Sequence, residues 1–230
     1  MADRSVLVTG GTGALGEAVT AAFVAAGWRV VVPSRERQPG ATSPADDVVR
    51  LTADLADPAE TRHAVEAAAG DAGAPLRAVV NLVGGFAAGG RVHETPVAEL
   101  ERMLTLNLRP TWLVTGTALP HLVAAGGGAV VCVSSRAAVA PFAGAAAYAT
   151  AKAAVLAFAN AVALEYRMDG VRCNTVLPSV IDTPANRGGQ PDADHSRWVA
   201  PAEIAPVVRF LASPESAPTS GASIPVYGRA

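Results

Sequence analysis

Short β-rich apolar runs alternate along the chain with alanine-rich stretches of helical composition, and this alternation constrains the fold more than any single motif. Several of the apolar runs lack polar residues on either face, as expected for a parallel sheet that is covered by helices on both sides. The pattern predicts an α/β fold, a doubly wound Rossmann-type parallel sheet of about seven strands with helices on both faces. The predicted strands are residues 5–9, 29–32, 48–51, 78–82, 129–134, 171–177 and 223–226, and the predicted helices are residues 14–26, 58–69, 96–108, 110–125, 145–168 and 201–212.

The length and composition predict one nucleotide-binding domain over residues 1–230. The chain has 230 residues, and 50% of them are hydrophobic, which is enough apolar material for a full core. One long polar stretch, PANRGGQPDADHSRW at residues 184–198, interrupts the alternation. A loop of that length in a compact domain is usually functional or mobile, so we expect a substrate lid around residues 184–200.

Charge and cysteine content exclude several classes of protein. The net charge is −2 and no basic stripe is present, which argues against nucleic-acid binding. Cys132 and Cys173 lie inside apolar runs, so we expect two reduced core thiols and no metal site. The sequence has no signal-peptide pattern and no window of ~18 uninterrupted apolar residues. These features predict a cytoplasmic protein with no membrane partner.

A glycine-rich loop separates the first predicted strand from the first predicted helix. Its pattern is Gly11-x-Gly13-x-x-Gly16. Strand, glycine loop and helix in this order are typical of a dinucleotide-binding site, where the helix N-terminus faces the pyrophosphate. The expected cofactor contacts in this loop are Gly10, Gly11, Thr12, Gly13, Ala14, Leu15 and Gly16.

The end of the second predicted strand bears on the choice of coenzyme. NAD-binding proteins carry an acidic residue about 20 residues after the loop, which binds the ribose hydroxyls. Ser34 and Arg35 occupy that region here, and Glu36 follows one position later. Because Arg35 can pair with a 2′-phosphate, we favour NADP(H), with NAD(H) bound by Glu36 as the alternative. Asp54 and Leu55, after the third strand, either contact adenine or cap the next helix.

A tyrosine and a lysine four residues apart open a long predicted helix. Tyr148 and Lys152 therefore share one helix face. A neighbouring ammonium favours the phenolate and is expected to lower the phenol pKa, which suits general acid–base chemistry. Ser135 follows the fifth predicted strand, and residues just past the carboxyl ends of parallel strands surround the ligand crevice.

In combination, these motifs resemble the short-chain dehydrogenase/reductase family over almost the whole chain. The resemblance implies a nicotinamide cofactor and hydride transfer between a carbonyl and an alcohol. It is carried by Thr9-Gly10 with the glycine loop, Asp54-Leu55, Asn81 with Gly84, Asn107, Ser135, Tyr148, Lys152, Asn174-x-Val176-x-Pro178 and Thr183-Pro184.

The resemblance also implies a role for each residue. Tyr148 donates a proton to the nascent alkoxide, Ser135 hydrogen-bonds the substrate oxygen, and Lys152 tunes Tyr148 and holds the nicotinamide ribose. Asn107 anchors a water in a proton relay; the structural alternatives are a kink residue for Asn107 and a turn residue for Ser135. Further cofactor contacts are expected from Asn81, Val83, Gly84, Pro178, Val180, Ile181 and, at the carboxamide, Thr183.

Some positions depart from the family's commonest pattern. Ala14 stands where the larger subgroup has glycine, and the segments around the glycine loop, residues 84–90 and the lid resemble the dihydropteridine-reductase branch. That branch generally lacks the serine and asparagine found here at Ser135 and Asn107. We therefore expect an NADP(H)-dependent carbonyl reductase. Reduction of a quinonoid pterin or a related C=N substrate is the alternative, and a non-catalytic cofactor-binding regulator is a second one.

The substrate pocket and the subunit contacts are the least constrained by sequence. We expect Phe86, Arg136, Phe142 and Trp198 to contact a small-molecule carbonyl substrate, with solvated loop side chains as the alternative for the charged residues. The family resemblance and the alanine-rich helices around Trp112 imply a homodimer or homotetramer.

Overall fold

Seven parallel strands form one sheet in the computed structural model, which describes residues 2–36 and 47–229. The strand order is β3-β2-β1-β4-β5-β6-β7, and every neighbouring pair is parallel. The predicted α/β class is confirmed, and the order changes direction on the two sides of β1, which creates a crevice beyond the carboxyl ends of β1 and β4. The strands are β1 Ser5–Thr9, β2 Arg29–Ser34, β3 Val48–Thr52, β4 Leu76–Asn81, β5 Gly128–Val133, β6 Val171–Pro178 and β7 Ser223–Val226.

Helices cover both faces of the sheet because successive strand residues point to opposite sides. In β1, Leu7 packs into a core with α2, α4 and α5, whereas Val6 and Val8 pack into a second core with α1 and α7. The α-helices are α1 Ala14–Ala25, α2 Pro58–Ala69, α3 Val97–Asn107, α4 Arg109–Ala124, α5 Ala146–Glu165, α6 Pro184–Gly189 and α7 Pro201–Ala212.

The start of α2 shows which aspartate caps this helix. The Asp57 carboxylate accepts hydrogen bonds from the amides of Ala59 and Glu60, so Asp57 is the N-cap. Asp54 instead accepts from the Ala56 amide within its own turn. The interpretation of Asp54 as the helix cap is therefore wrong.

The stretch expected to be irregular, residues 184–198, contains ordered elements. α6 begins at Pro184 with Thr183 as its cap, and a short 3-10 turn spans His195–Arg197. The sequence pattern missed α6 because two of its six residues are glycines, which are weak helix formers. A capping threonine before a proline at the first helical position was the available signal.

Helix α5 is the one helix of the described residues that is long and apolar enough to cross a membrane, judged by length and composition. Its residues Val155, Ala159 and Val162 pack into the core beside the sheet. The helix ends at Glu165, three residues before the predicted end, because a 3-10 turn and Gly170 (φ 74°) follow and lead into β6.

Candidate active site

A cleft of about 1940 Å³ opens at the carboxyl ends of the strands. This volume exceeds the roughly 300–1,000 Å³ of ordinary small-molecule sites and accommodates a dinucleotide together with a small substrate. The structure brings most of the sequence-predicted residues to its wall: Gly10, Thr12, Gly13, Ala14, Leu15, Gly16, Ser34, Arg35, Asp54, Leu55, Val83, Gly84, Phe86, Ser135, Arg136, Phe142, Tyr148, Lys152, Pro178, Val180 and Ile181.

The glycines of the loop between β1 and α1 have different structural roles. Gly10 has a φ of 66°, which favours glycine at the turn. A Cβ on Gly16 would overlap the Gly10 carbonyl oxygen, and one on Gly11 would lie 2.6 Å from Cγ1 of Val32. Gly11 therefore supports packing against β2, and it does not line the cleft. By contrast, a Cβ on Gly13 would have its nearest neighbour at 3.6 Å.

The same loop fits a pyrophosphate group. Close packing at Gly16 brings the first turn of α1 against the loop, and Ala14 and Leu15 line the cleft. The amides in the first turn of a helix have no intrahelical acceptors, and the positive end of the helix dipole lies there. The chain therefore supplies donors and a favourable field for the phosphates of a dinucleotide.

The end of the cleft beside β2 carries one exposed cation. Ser34 is half-buried at the end of β2, and Arg35 and Glu36 are exposed beyond it. In residues 2–36 and 47–229, no ion pair includes Arg35 or Glu36. Asp54 lies at the same edge, where the neighbouring Ala53 amide donates to the Ser34 carbonyl at 2.9 Å.

Tyr148 and Ser135 meet where β5 and α5 approach each other. Ser135 follows β5, and its Oγ accepts a hydrogen bond from the Ala137 amide at 3.1 Å. Burial raises the pKa of the Tyr148 phenol, and the nearby Ser135 hydroxyl partly offsets this rise. The ring of Phe86 packs edge-on against Tyr148 with 5.1 Å between centroids. The phenol therefore carries its proton at neutral pH.

Lys152 differs from its expected role in this arrangement. Its side chain is buried, and Nζ donates to the Val133 carbonyl at 3.2 Å, toward the end of β5. Burial lowers the pKa of Lys152 to about 8. The expectation that Lys152 lowers the phenol pKa is wrong in this structure, because burial dominates at Tyr148 and only Ser135 opposes it.

Ser134 is a residue of this site that the sequence analysis missed. Its Oγ donates to the backbone carbonyl of Lys152 at 2.7 Å, which ties the end of β5 to α5. The signal was a second serine directly before Ser135, at the point where the strand ends.

Asn107 lies beside the residues predicted to be catalytic, without lining the cleft. It is the last residue of α3; its Nδ2 donates to the Met103 carbonyl at 3.0 Å, and its Oδ1 accepts from the Gly85 amide at 3.1 Å. A Cβ on Gly84 would lie 2.7 Å from that Oδ1 and 3.0 Å from Nζ of Lys152. Glycine at 84 therefore allows the loop after β4 to approach both polar groups.

Three further predicted residues lie outside the cleft wall. Asn81 donates to Oγ1 of Thr115 at 2.9 Å inside the core, and its buried Oδ1 has no partner within the described part of the chain. Thr183 caps α6 by accepting from the Asn186 amide at 3.2 Å. Trp198 packs against His195, with centroids 4.3 Å apart. Trp198 therefore packs within its own segment and is not part of the cleft wall, and its contact with substrate stays a prediction.

Comparison with known proteins places the chain among dehydrogenases. The short chain dehydrogenase family model matches residues 4–194. The chain is 31% identical to 2-(R)-hydroxypropyl-CoM dehydrogenase of Xanthobacter autotrophicus, with 98% of both chains covered. It is 30% identical to 2,5-dichloro-2,5-cyclohexadiene-1,4-diol dehydrogenase LinX of Sphingobium indicum, covering 99% of this chain and 96% of the relative. A short-chain type dehydrogenase/reductase structure from Mycobacterium ulcerans is 28% identical, with a TM-score of 0.90 over 100% of this chain and 90% of that chain.

Proposed function

Because this chain belongs to the short-chain dehydrogenase family, whose members are oxidoreductases that use NAD(P), we propose that it reduces a carbonyl compound to an alcohol with NADPH. One observation carries the proposal: the Tyr148 phenol, protonated at neutral pH because burial raises its pKa, lies beside Ser135 in the cleft. A buried acid next to a second hydroxyl matches what proton delivery to a carbonyl oxygen requires.

The cofactor part of the proposal rests on the two ends of the cleft. Gly13, Ala14 and Leu15 would hold the pyrophosphate, and Arg35 would pair with a 2′-phosphate. When bound, the nicotinamide cofactor supplies the hydride. Val180 and Ile181 line the cleft on the opposite side and would contact the nicotinamide end.

The residues around Tyr148 have different proposed roles in substrate binding and proton transfer. Ser135 hydrogen-bonds the substrate oxygen, and Tyr148 transfers its proton to that oxygen as negative charge develops there. The Lys152 ammonium, which is present below about pH 8, would hold the nicotinamide ribose. Asn107 holds the Gly85 amide, which keeps the loop after β4 beside Lys152 and would position a water for proton return.

The names of the relatives support an alcohol–carbonyl reaction. One relative is named for a hydroxypropyl compound and another for a diol. The lid around residues 184–200 remains part of the proposal, with Asn186 and Gln190 on the cleft wall.

The proposal is tested with Tyr148→Phe in an NADPH-oxidation assay against quinonoid pterins, quinones, β-ketoesters and cyclic ketones. We expect the variant to lose about 10²- to 10⁴-fold in kcat on the best ketone, because it lacks the proton donor. Tyr166→Phe is the matched control, since it removes a phenol hydroxyl at the far end of α5.

Other results of this assay distinguish carbonyl reduction from the alternative functions. Full turnover by Tyr148→Phe excludes proton donation by tyrosine. Turnover of the pterin alone favours a reaction like that of dihydropteridine reductase. NADPH binding without turnover of any substrate favours a cofactor-binding regulator.

A further inference from the structure

Arg136 lies beside the proposed reaction centre with its guanidinium group uncommitted. It directly follows Ser135 and lines the cleft. In the part of the chain that the structure describes, its side chain takes part in no ion pair and no hydrogen bond. An arginine guanidinium has five N–H donors in a fixed fork that matches the two oxygens of a carboxylate.

The guanidinium is held in place by an aromatic ring. Cζ of Arg136 lies 5.2 Å from the centroid of the Tyr227 ring, within the range of a cation–π contact. The Tyr227 segment is fixed in turn, because Oγ of Ser179 donates to the Tyr227 carbonyl at 2.6 Å. Ser179 lines the cleft just beyond the end of β6. This contact places the guanidinium over the Tyr227 ring, and within the described residues none of its N–H groups is bound to an acceptor.

Other arginines near the cleft already have acidic partners. Arg102 pairs with Glu99 at 2.8 Å, and Arg187 pairs with Asp182, with 2.7 Å between Nη2 and Oδ2. Arg35 lies at the opposite end of the cleft, beside β2. On the substrate side, Phe86 and Phe142 form an exposed apolar wall next to Tyr148.

We propose that Arg136 binds an anionic group of the substrate, so that the substrate is an oxo acid with its carbonyl at Tyr148 and its carboxylate at Arg136. This inference rests on the proposed carbonyl reduction. Because Ser135 and Arg136 are consecutive in the chain, the substrates to be compared carry spacers of one to three carbons between carbonyl and carboxylate. The carbon chain between them would lie against Phe86 and Phe142.

The test compares each oxo acid with its own methyl ester, which removes the negative charge and adds one methyl group while the carbon chain stays the same. The substrates are 3-oxobutanoate, 4-oxopentanoate and 5-oxohexanoate with their esters, assayed by NADPH oxidation. We expect the wild type to prefer the acid at one chain length. Arg136→Met should lower the acid-to-ester ratio of kcat/KM by about 10- to 100-fold, as for loss of a charge-assisted hydrogen bond. Arg136→Lys should restore part of the ratio.

Arg167→Met is the control, because it removes an exposed arginine at the amino end of β6, away from the cleft. An unchanged ratio in Arg136→Met, or equal losses on acid and ester, overturns the inference and leaves carbonyl reduction standing. If neither the acids nor the esters are reduced but a ketone of the first panel is, the inference is overturned and carbonyl reduction stands. If no carbonyl compound is reduced, the proposed function fails, and calorimetric titration with 4-oxopentanoate then decides this inference. Binding to the wild type that weakens at least 10-fold in Arg136→Met supports it, and equal or absent binding overturns it.

Discussion

Lys152 is the only lysine in the sequence, and 6% of its surface is exposed. Its pKa of about 8 follows from burial of the ammonium group. We expect a ¹³C-dimethyl label on Lys152, introduced by reductive methylation, to titrate with a midpoint near 8. The label is read by NMR, where the α-amino group provides the second signal as a reference. A midpoint near the ordinary value of 10.5 would show that the ammonium is hydrated.

The same pKa shift predicts how stability depends on pH. Lys152 loses its proton near pH 8 in the folded protein, whereas the unfolded chain keeps it up to about pH 10.5. Between these values the unfolded state binds more protons, so this group's contribution to the free energy of unfolding rises with pH, by about 3 kcal/mol at most. Below pH 8 the cost of burying the charge is fully present. Urea denaturation from pH 7 to 10 should show this rise in the wild type relative to Lys152→Met, and parallel curves would refute it.

Arg35 determines the coenzyme preference that we propose. Loss of one charge-assisted contact to a 2′-phosphate costs about 1.5–3 kcal/mol. Arg35→Ala should therefore raise the KM for NADPH by about 10- to 100-fold and leave the KM for NADH nearly unchanged. Arg62→Ala, an exposed arginine on α2, serves as the control. A preference for NADPH that survives in Arg35→Ala would assign the phosphate to other groups.

At the scale of single elements, the loop between β1 and α1 contains one glycine needed for packing and another that faces the proposed ligand. A methyl group at Gly16 would overlap the Gly10 carbonyl, whereas one at Gly13 meets no atom closer than 3.6 Å. Gly16→Ala should therefore lower the free energy of unfolding by about 1–3 kcal/mol. Gly13→Ala should cost less than about 1 kcal/mol at this N-cap position, and should weaken NADPH binding because its methyl group faces the cleft.

Chemical denaturation and a fluorescence titration with NADPH measure these two effects separately. The expected pattern is a large stability loss for Gly16→Ala and a large affinity loss for Gly13→Ala. Equal stability losses in both variants would contradict the division of roles. Weakened binding in neither variant would argue against a pyrophosphate at this loop.

Sequence patterns predicted the elements well where periodicity and caps agree. The apolar run of β5 and the proline at the start of α2 are local signals, and both elements form where expected. The features that the patterns missed depend on tertiary contacts. The raised pKa of Tyr148 reflects burial by the surrounding structure, and the position of Trp198 follows from its stacking on His195. Neither is encoded in the spacing of neighbouring residues.

At the scale of the whole molecule, the sheet order joins parts of the site that are distant in sequence. β1 and β4 are neighbours, so the glycine loop lies beside Gly84, and β5 and β6 bring Ser135 next to Ser179. Each half of the cleft comes from one side of β1. The proposed pyrophosphate and 2′-phosphate contacts therefore come from the first half of the chain, and the proposed proton donor and nicotinamide contacts come from the second.

The outer faces of α4 and α5 carry exposed apolar side chains that predict subunit contacts. Trp112 on α4 is 59% exposed and packs against Phe158 of α5 with 4.9 Å between ring centroids, and Leu164 on α5 is 68% exposed. Large exposed apolar patches commonly mark interfaces between proteins. We therefore propose that two or four copies associate through this face.

Trp112→Arg should shift the protein toward the monomer, because a charge at the centre of an apolar contact is left without a partner on desolvation. Light scattering coupled to gel filtration at micromolar concentration measures the mass of each form. Val92→Arg is the control, since Val92 is also well exposed but lies on the loop after β4, away from α4 and α5. A monomeric wild type, or an unchanged mass for Trp112→Arg, would refute assembly through this face. A shift in both variants would implicate the added charge alone.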